Sequence, residues 1–231
     1  LYGGQQVIGI DQIMLVDVDQ FYGIEYDEFP ARIAEVALWL MDHQMNLRIS
    51  EAFGMYYARL PLKKSATIVH GNALRTEWTD IVPKTELSYI LGNPPFVGSK
   101  LLKKEQREEM AEIFSKVDNG KILDYVAAWY YLSAKLINDT SIKVAFVSTN
   151  SITQGEQVGV LWGVMLHEFQ IKIHFAHTTF KWNNEAKGKA AVYCVIVGFA
   201  NFDSKNKHLF NYSDIKGEPT EIACKNINPY L

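Results

Sequence analysis

Several features that would assign a function directly are missing from this chain of 231 residues. No run of about 18 apolar residues is present, so no membrane-spanning helix is expected. The two cysteines, Cys194 and Cys224, stand far apart and lack the spacing of metal ligands. We therefore expect reduced thiols, as in a cytoplasmic protein, and neither a disulfide framework nor a bound metal.

The sequence also lacks a general positive charge and a glycine-rich nucleotide loop. Its formal net charge of -3 gives no overall attraction to phosphate backbones, so nucleic acid would have to meet a local basic surface or another domain. No G-x-G-x-x-G or P-loop pattern occurs. The first residues have neither an initiator Met nor a signal-peptide pattern, and we expect the chain to be part of a longer protein.

What is present is the composition of an ordinary globular α/β domain, with 48% hydrophobic and 21% charged residues. Apolar runs and helical spacing alternate along the chain. The predicted strands are 20–25, 66–70, 88–91, 143–149, 171–177 and 190–197, and the predicted helices are 29–47, 100–114, 122–137 and 155–169. This order predicts a doubly wound, mostly parallel sheet whose last strand pair supplies an antiparallel edge. Beyond Phe199 we expect polar loop.

The most informative stretch is 88–96, where an apolar strand stops at an amide, two prolines and an aromatic ring. The strand reads as buried and parallel, and it cannot continue through Pro94 and Pro95 because proline donates no ladder hydrogen bond. Asn93 precedes a proline and is held extended beyond the carboxyl end of the strand, where open α/β sheets bind ligands. Asn-Pro also opens ordinary turns, which is the structural alternative.

This tetrapeptide has a specific chemical capacity. The side-chain oxygen of Asn93 and the carbonyl oxygen of Pro94 can both accept hydrogen bonds from one NH2 group. If that group belongs to a conjugated ring, its lone pair is drawn out of conjugation and the nitrogen becomes a better nucleophile. Phe96 is suited to stack on the face of the ring.

Asn93-Pro94-Pro95-Phe96 resembles the catalytic motif (N/D/S)-P-P-(Y/F) of amino-methyltransferases that use S-adenosyl-L-methionine. The run 92–99 is most similar to DNA adenine-N6 methyltransferases, and among them to large single-chain restriction–modification enzymes. The resemblance covers about 20–199 and omits the family's glycine-rich first motif. It implies a Rossmann-like class I methyltransferase fold without its first strand, S-adenosyl-L-methionine as cofactor, and double-stranded DNA with a flipped adenine as substrate.

Two acidic or amide positions match the family's cofactor-binding residues. Glu25 ends a predicted strand just before a helix, and with Asp27 it fits the family's G-I-E-x-D pattern, so the resemblance assigns it to the cofactor ribose. Tyr26 beside it is expected to bind the cofactor as well. Asn72, beside Ala73, stands where the family meets the cofactor adenine, and Asn93 is expected to touch the cofactor too. A solvated acid at 25 and a Gly-Asn turn at 72 are the structural alternatives.

A second informative stretch, 178–189, places Phe180 and Trp182 in a predicted polar loop beside Lys181 and Lys187. Aromatic rings and cations on a loop suit the grip of an extruded base and its flanking phosphates. The resemblance implies that one ring packs on the flipped base, without deciding which. Rings tucked under a hairpin are an equal alternative.

We therefore divide the chain into an N-terminal remnant of the cofactor-binding region (1–19), a methyltransferase catalytic domain (20–199) and a linker (200–231). The linker is expected to lead to a target-recognition domain, and a nuclease domain is another possible partner in the parent polypeptide. Two other functions stay open. One is N-methylation of a glutamine amide in a protein, and the other is a non-catalytic nucleic-acid-recognition or assembly module.

Overall fold

The computed structural model describes residues 15–54, 65–182 and 192–231. The chain forms two compact units, Leu1–Pro83 and Lys84–Leu231. Within the described ranges, no helix combines the length and apolar character needed to cross a membrane. Strands and α-helices largely alternate up to residue 182, as the apolar pattern predicts, whereas in the described residues the last four strands follow one another without an α-helix between them.

The described residues of the first unit form two short parallel strands and one long α-helix. Strands β1 (Tyr22–Glu25) and β2 (Thr67–His70) pair in parallel over their full length. Helix α1 (Glu28–Phe53) begins after its N-cap residue Asp27, whose side chain makes no capping hydrogen bond. The helix is longer than the predicted 29–47. It ends where Gly54 adopts the left-handed region at φ 64°, which glycine favours.

The second unit is built on a six-stranded mixed sheet in the order β3-β4-β6-β5-β7-β8. Its strands are β3 (Tyr89–Gly92), β4 (Lys143–Thr149), β5 (Lys172–Trp182), β6 (Val192–Ala200), β7 (Lys207–Asn211) and β8 (Thr220–Cys224). β3 pairs with β4, and β5 with β7, in parallel. β6 is antiparallel to β4 and β5, and β8 is antiparallel to β7, so most strands run in one direction.

This sheet corrects the sequence prediction in two respects at its β5 side. The antiparallel strand β6 lies inside the sheet, between β4 and β5, and not at the edge. The prediction of a polar loop after Phe199 is wrong, because β7 and β8 extend the sheet there. These strands carry little hydrophobic alternation, since β8 is exposed at four of its five residues and β7 begins with a buried lysine. Sequence periodicity therefore gave no signal for them.

At its opposite side the sheet ends in β3, which was expected to be buried. Within the described ranges β3 pairs with β4 alone, so it is an edge strand. Tyr89 is 62% exposed and Leu91 is 75% exposed. The apolar run thus marks a strand correctly, but not a buried one.

Three helices complete the second unit: α2 (Lys104–Ile113), α3 (Ala127–Leu136) and α4 (Glu156–His167). Helices α3 and α4 meet on one face of the sheet through Tyr130, which is fully buried. Its ring lies 5.6 Å from Phe199 of β6, 5.2 Å from Phe146 of β4 and 5.9 Å from Trp162 of α4, measured between ring centroids. Burial of these rings contributes a large share of the apolar stabilisation that holds the helices on the sheet.

Candidate active site

The predicted catalytic motif forms the irregular segment that directly follows β3. Asn93 is exposed, Pro94 is buried and Phe96 is half-buried. No hydrogen bond joins the Asn93 side chain to any described residue. An amide with this exposure at the carboxyl end of a strand is available to a ligand, because it has no partner to give up. Pro94 anchors the segment by its buried ring.

The backbone just after the motif is held by residues that precede α3. The N–H of Tyr125 donates to the carbonyl oxygen of Val97 over 2.9 Å. The N–H of Ser99 donates to Oδ1 of Asp124 over 2.8 Å. Asp124 is only 8% exposed. Two anchors therefore lie on either side of Gly98, within a few residues of Phe96.

Asp124 also connects this segment to the loop that follows β4. The Ser151 hydroxyl donates to Oδ2 of Asp124 over 2.5 Å, and the Asp124 N–H donates to Oε1 of Gln157 over 2.9 Å. Ser151 lies in the short 3-10 turn Asn150–Thr153, and Gln157 lies in the first turn of α4. Sequence reading placed Asp124 inside a helix and missed this role. The available signal was a carboxylate beside Leu123 and Tyr125, at the start of an otherwise apolar segment.

The predicted base-gripping residues lie in a strand and not in a loop. β5 continues through Phe180, Lys181 and Trp182, which pair with the first residues of β6. The loop prediction is wrong because the polar pair Thr178-Thr179 interrupts the apolar pattern at a register shift while the strand goes on. Lys187 lies outside the described residues.

The two aromatic rings of this segment have different surroundings. Phe180 is half-buried, and its ring stacks on that of Tyr212 at 5.2 Å between centroids. Trp182 is 44% exposed, and its ring lies 6.1 Å from that of Phe180. Phe180 is therefore part of a packed aromatic cluster, whereas Trp182 presents much of its surface to solvent.

The motif and the aromatic pair lie at the same end of the sheet, where its parallel strands have their carboxyl ends. β3, β4 and β5 run in the same direction, so their carboxyl ends share one edge. Thr149, Cys194 and Phe180 stand side by side in one row across β4, β6 and β5. Nδ2 of Asn150 lies 3.5 Å from Oγ1 of Thr179, which joins the two strand ends. Two regions predicted separately from sequence thus lie at the same end of the sheet, with β4 and β6 between their strands.

Burial keeps two titratable groups of this region neutral. It raises the pKa of the Cys194 thiol to about 11, so the thiol is protonated at neutral pH. It lowers the pKa of His177, which stacks on Phe210 at 4.4 Å and whose Nδ1 lies 3.0 Å from Oη of Tyr212. As a neutral group, His177 can take part in stacking and hydrogen bonding, whereas Cys194 is fully buried within the sheet.

In the first unit, Glu25 is the last residue of β1, and Asn72 lies two residues after the end of β2. The N–H of Gly71 donates to the carbonyl oxygen of Glu25 over 2.9 Å, so β1 and β2 end together. Oε1 of Glu25 accepts from the N–H of Tyr26, and Oδ1 of Asn72 accepts from the N–H of Leu74, both over 2.9 Å. The Asn72 contact is an Asx turn, which is the structural role foreseen for it. Its contact with a cofactor stays a prediction.

Tyr26, next to Glu25, and Ala73, next to Asn72, differ in how freely they could contact a ligand. Tyr26 is 67% exposed. The carbonyl oxygen of Ala73 accepts a hydrogen bond from Nε1 of Trp78 over 2.8 Å and so belongs to the turn. In this unit the exposed ring of Tyr26 and the half-buried carboxylate of Glu25 are the groups best placed to meet a ligand.

Comparison with known proteins gives first the class and then the family. The type IIL restriction–modification enzyme MmeI, solved in complex with DNA, is 52% identical and superposes with a TM-score of 0.91 over 100% of this chain and 31% of its own. DNA methyltransferase A of Bacillus subtilis (strain 168) is 47% identical over 220 residues, 94% of this chain and 24% of its own. The type IIG restriction endonuclease BpuSI, 12% identical with a TM-score of 0.55 over 85% of this chain and 21% of its own, shares the fold alone. The first two relatives are a restriction–modification enzyme and a DNA methyltransferase, and they define the class.

A sequence profile described as "MmeI, DNA-methyltransferase domain" matches residues 5–211, and the chain belongs to that family. The predicted resemblance to DNA methyltransferases of large restriction–modification enzymes is confirmed. A mixed α/β fold with a mostly parallel sheet is confirmed as well. The chain spans 24% of the length of the Bacillus subtilis relative and 31% of MmeI.

Proposed function

We propose that this chain is the catalytic part of an S-adenosylmethionine-dependent DNA adenine-N6 methyltransferase within a restriction–modification enzyme. The observation that carries the proposal is the exposed Asn93, without a hydrogen bond to any described residue, followed by the buried Pro94 at the end of β3. Membership of the MmeI methyltransferase family supports DNA as the substrate. The ending in Phe96 favours an adenine amino group.

The motif residues act on the amino group of the base. Asn93 Oδ1 and the Pro94 carbonyl oxygen accept its two N–H hydrogens, which draws the nitrogen lone pair out of the ring. Pro94 suits this role because its fixed φ and buried ring hold the carbonyl in place. The acceleration comes from positioning and from hydrogen-bond polarisation, without a perturbed acid or base.

The groups of the first unit fit S-adenosyl-L-methionine, which when bound supplies an electrophilic methyl group. Glu25 presents a half-buried carboxylate, held by the Tyr26 N–H, at the carboxyl end of a parallel strand. A carboxylate in this position is suited to ribose hydroxyls. Tyr26 offers an exposed ring, and Asn72 with Ala73 borders the same strand ends.

A second set of residues is proposed to hold the extruded base and its phosphates. Flipping a base out of the duplex costs a few kcal/mol, about what stacking on aromatic rings can return. Phe96, together with Phe180 or Trp182, is suited to cover the faces of the base. Lys181 and Lys187 would meet the flanking phosphates. These lysines would supply a local attraction to DNA, which the net charge of -3 does not give.

The remaining length of the relatives supports further domains beside this one. With 24% and 31% of the relatives' lengths covered, we propose that target recognition, and any cleavage, belong to other parts of the polypeptide. In this division, 20–199 is the catalytic domain, 1–19 is the remnant of the cofactor-binding region, and 200–231 leads towards the target-recognition domain, with its strands β7 and β8 extending the catalytic sheet.

The experiment that tests the proposal uses the full-length protein. It is incubated with mixed-sequence duplex DNA and S-adenosylmethionine, the DNA is digested to nucleosides, and mass spectrometry measures N6-methyladenine. We expect N6-methyladenine to form and to be absent when the methyl donor is omitted. Methyl transfer to a protein amide, or cofactor binding without any transfer to DNA, would contradict the proposal.

A further inference from the structure

The loop that carries the motif is tied to the rest of the second unit by one buried carboxylate. Asp124 accepts from the Ser99 N–H through Oδ1 and from the Ser151 hydroxyl through Oδ2. The first donor lies just after the motif, and the second lies just after β4. The carboxylate thus joins two loops at the edge of the sheet where the motif and Phe180 stand.

We propose that Asp124 is a positioning residue for methyl transfer, whose carboxylate fixes the motif loop against the loop after β4. The proposal rests on the methyltransferase function proposed above. Both carboxylate oxygens are engaged at 8% exposure, and hydrogen bonds to a carboxylate are roughly twice as strong as neutral ones. A carboxylate at this depth is stable because such donors compensate its lost hydration.

The backbone beside Asp124 strengthens this clamp. Tyr125 N–H donates to Val97 O over 2.9 Å, so consecutive residues before α3 hold the loop at Val97 and at Ser99. Asp124 is held in turn, because its N–H donates to Oε1 of Gln157. Asn93, four residues before the first anchor, has no hydrogen bond to a described residue that would fix it otherwise. Its position relative to a base is therefore set through the chain, by the end of β3 and the buried Pro94 on one side and by the anchored loop on the other.

The expected consequence is a loss in rate rather than in binding. A misplacement of about 1 Å in a reacting geometry costs on the order of 10²-fold in rate. Removing the carboxylate takes away the acceptor of the Ser99 N–H and of the Ser151 hydroxyl but leaves the motif residues in the chain. Asp124→Ala should therefore lower kcat about 10²-fold while the KM values for DNA and S-adenosylmethionine stay near those of the wild type. Asp124→Asn keeps an acceptor for Ser99 and should recover most of the rate.

The test compares these variants with Tyr130→Phe in the full-length protein. Tyr130 belongs to α3, and its buried hydroxyl has its partners in β4, Oγ of Ser148 at 3.1 Å and the carbonyl oxygen of Phe146 at 3.4 Å, and not in the motif loop. Its loss should lower Tm without changing kcat. Steady-state rates at saturating DNA and S-adenosylmethionine give kcat, single-turnover rates isolate the transfer step, and amide hydrogen exchange of 96–101 reports the loop directly. Faster exchange is expected in Asp124→Ala and not in Tyr130→Phe.

A wild-type kcat in Asp124→Ala, or equal rate losses in Asp124→Ala and Tyr130→Phe, would overturn the proposal. Unchanged hydrogen exchange of 96–101 in Asp124→Ala would overturn it as well. If Asp124→Ala does not fold, Ser151→Ala removes one donor alone, and an intermediate loss of kcat is expected. A wild-type protein that methylates no DNA defeats the proposed function, while the exchange experiment still decides whether Asp124 holds the loop.

Discussion

The ring of Phe175 covers Gly198 so closely that a Cβ at Gly198 would lie 2.0 Å from a ring carbon. The two residues are cross-strand partners, Phe175 in β5 and Gly198 in β6. A glycine within a strand marks such a close approach, because any side chain would occupy the same space. The contact therefore holds β5 against the strand that separates it from β4.

Gly198→Ala should lower the free energy of unfolding. The added Cβ forces the Phe175 ring out of its position in a close-packed region, and overpacking of this kind costs about 1–3 kcal/mol. Urea denaturation, with the midpoint and slope both measured, gives the difference in free energy.

A matched glycine in the same unit gives the control. At Gly159, in α4, a Cβ would meet no atom within 4 Å. Gly159→Ala should raise the free energy of unfolding by about 0.5–1 kcal/mol, because alanine loses less backbone entropy in a helix. A destabilisation by both changes, or by neither, would show that packing on Phe175 does not set the cost.

The elements that sequence predicted well are those with long apolar runs. β4 coincides with its prediction at 143–149, and α4 differs by a residue or two at its ends. Burial on the sheet enforces these patterns, since Val144 and Phe146 of β4 and Leu161 and Trp162 of α4 are almost fully buried. The motif at Asn93 was found for another reason, because prolines after a strand leave a local signature.

The elements that sequence missed depend on distant partners. β7 and β8 are stabilised by pairing with β5 and with each other, and such pairing leaves little trace in local hydrophobicity. Trp182 is in a strand because its partner Val192 comes from a later part of the chain. The role of Asp124 depends on Ser99 and Ser151, which are 25 and 27 positions away. Local reading had no access to these contacts.

Trp182→Ala should weaken the binding of DNA with little effect on stability. The ring is 44% exposed at the edge that carries the motif, and stacking of a base on an aromatic ring contributes about 1–3 kcal/mol. Fluorescence anisotropy with a duplex that the wild type methylates measures the Kd, and thermal unfolding measures the stability.

Phe180→Ala is the comparison, because Phe180 packs on Tyr212 in the same segment. We expect it to lower the free energy of unfolding by about 2 kcal/mol, since a partly buried ring and its stacking partner are lost. If Phe180→Ala weakens DNA binding at unchanged stability while Trp182→Ala does not, the assignment of the two rings is reversed.

Glu25→Gln should weaken the binding of S-adenosylmethionine. A hydrogen bond to a charged group contributes about 1.5–3 kcal/mol, so a rise in Kd of about tenfold or more is expected. Isothermal titration calorimetry on the full-length protein measures the Kd. Glu35→Gln is the control, because Glu35 lies in α1 in an ion pair with Arg32 of 2.9 Å between nitrogen and oxygen. Equal Kd values for the two variants would remove Glu25 from the cofactor site.

Asn93→Ala should abolish most methyl transfer while leaving the fold intact. Asn93 is exposed, so its loss should change the free energy of unfolding by no more than about 0.5 kcal/mol. Loss of one positioned hydrogen-bonding group in an active site lowers kcat by on the order of 10²–10³-fold. Asn93→Asp keeps an oxygen acceptor at the same distance from the backbone and should retain more activity than Asn93→Ala. Single-turnover methylation and thermal unfolding separate the two effects. If Asn93→Ala kept the wild-type rate, the amino group of the substrate would have to be held by other residues, and the motif would be a strand-to-loop turn.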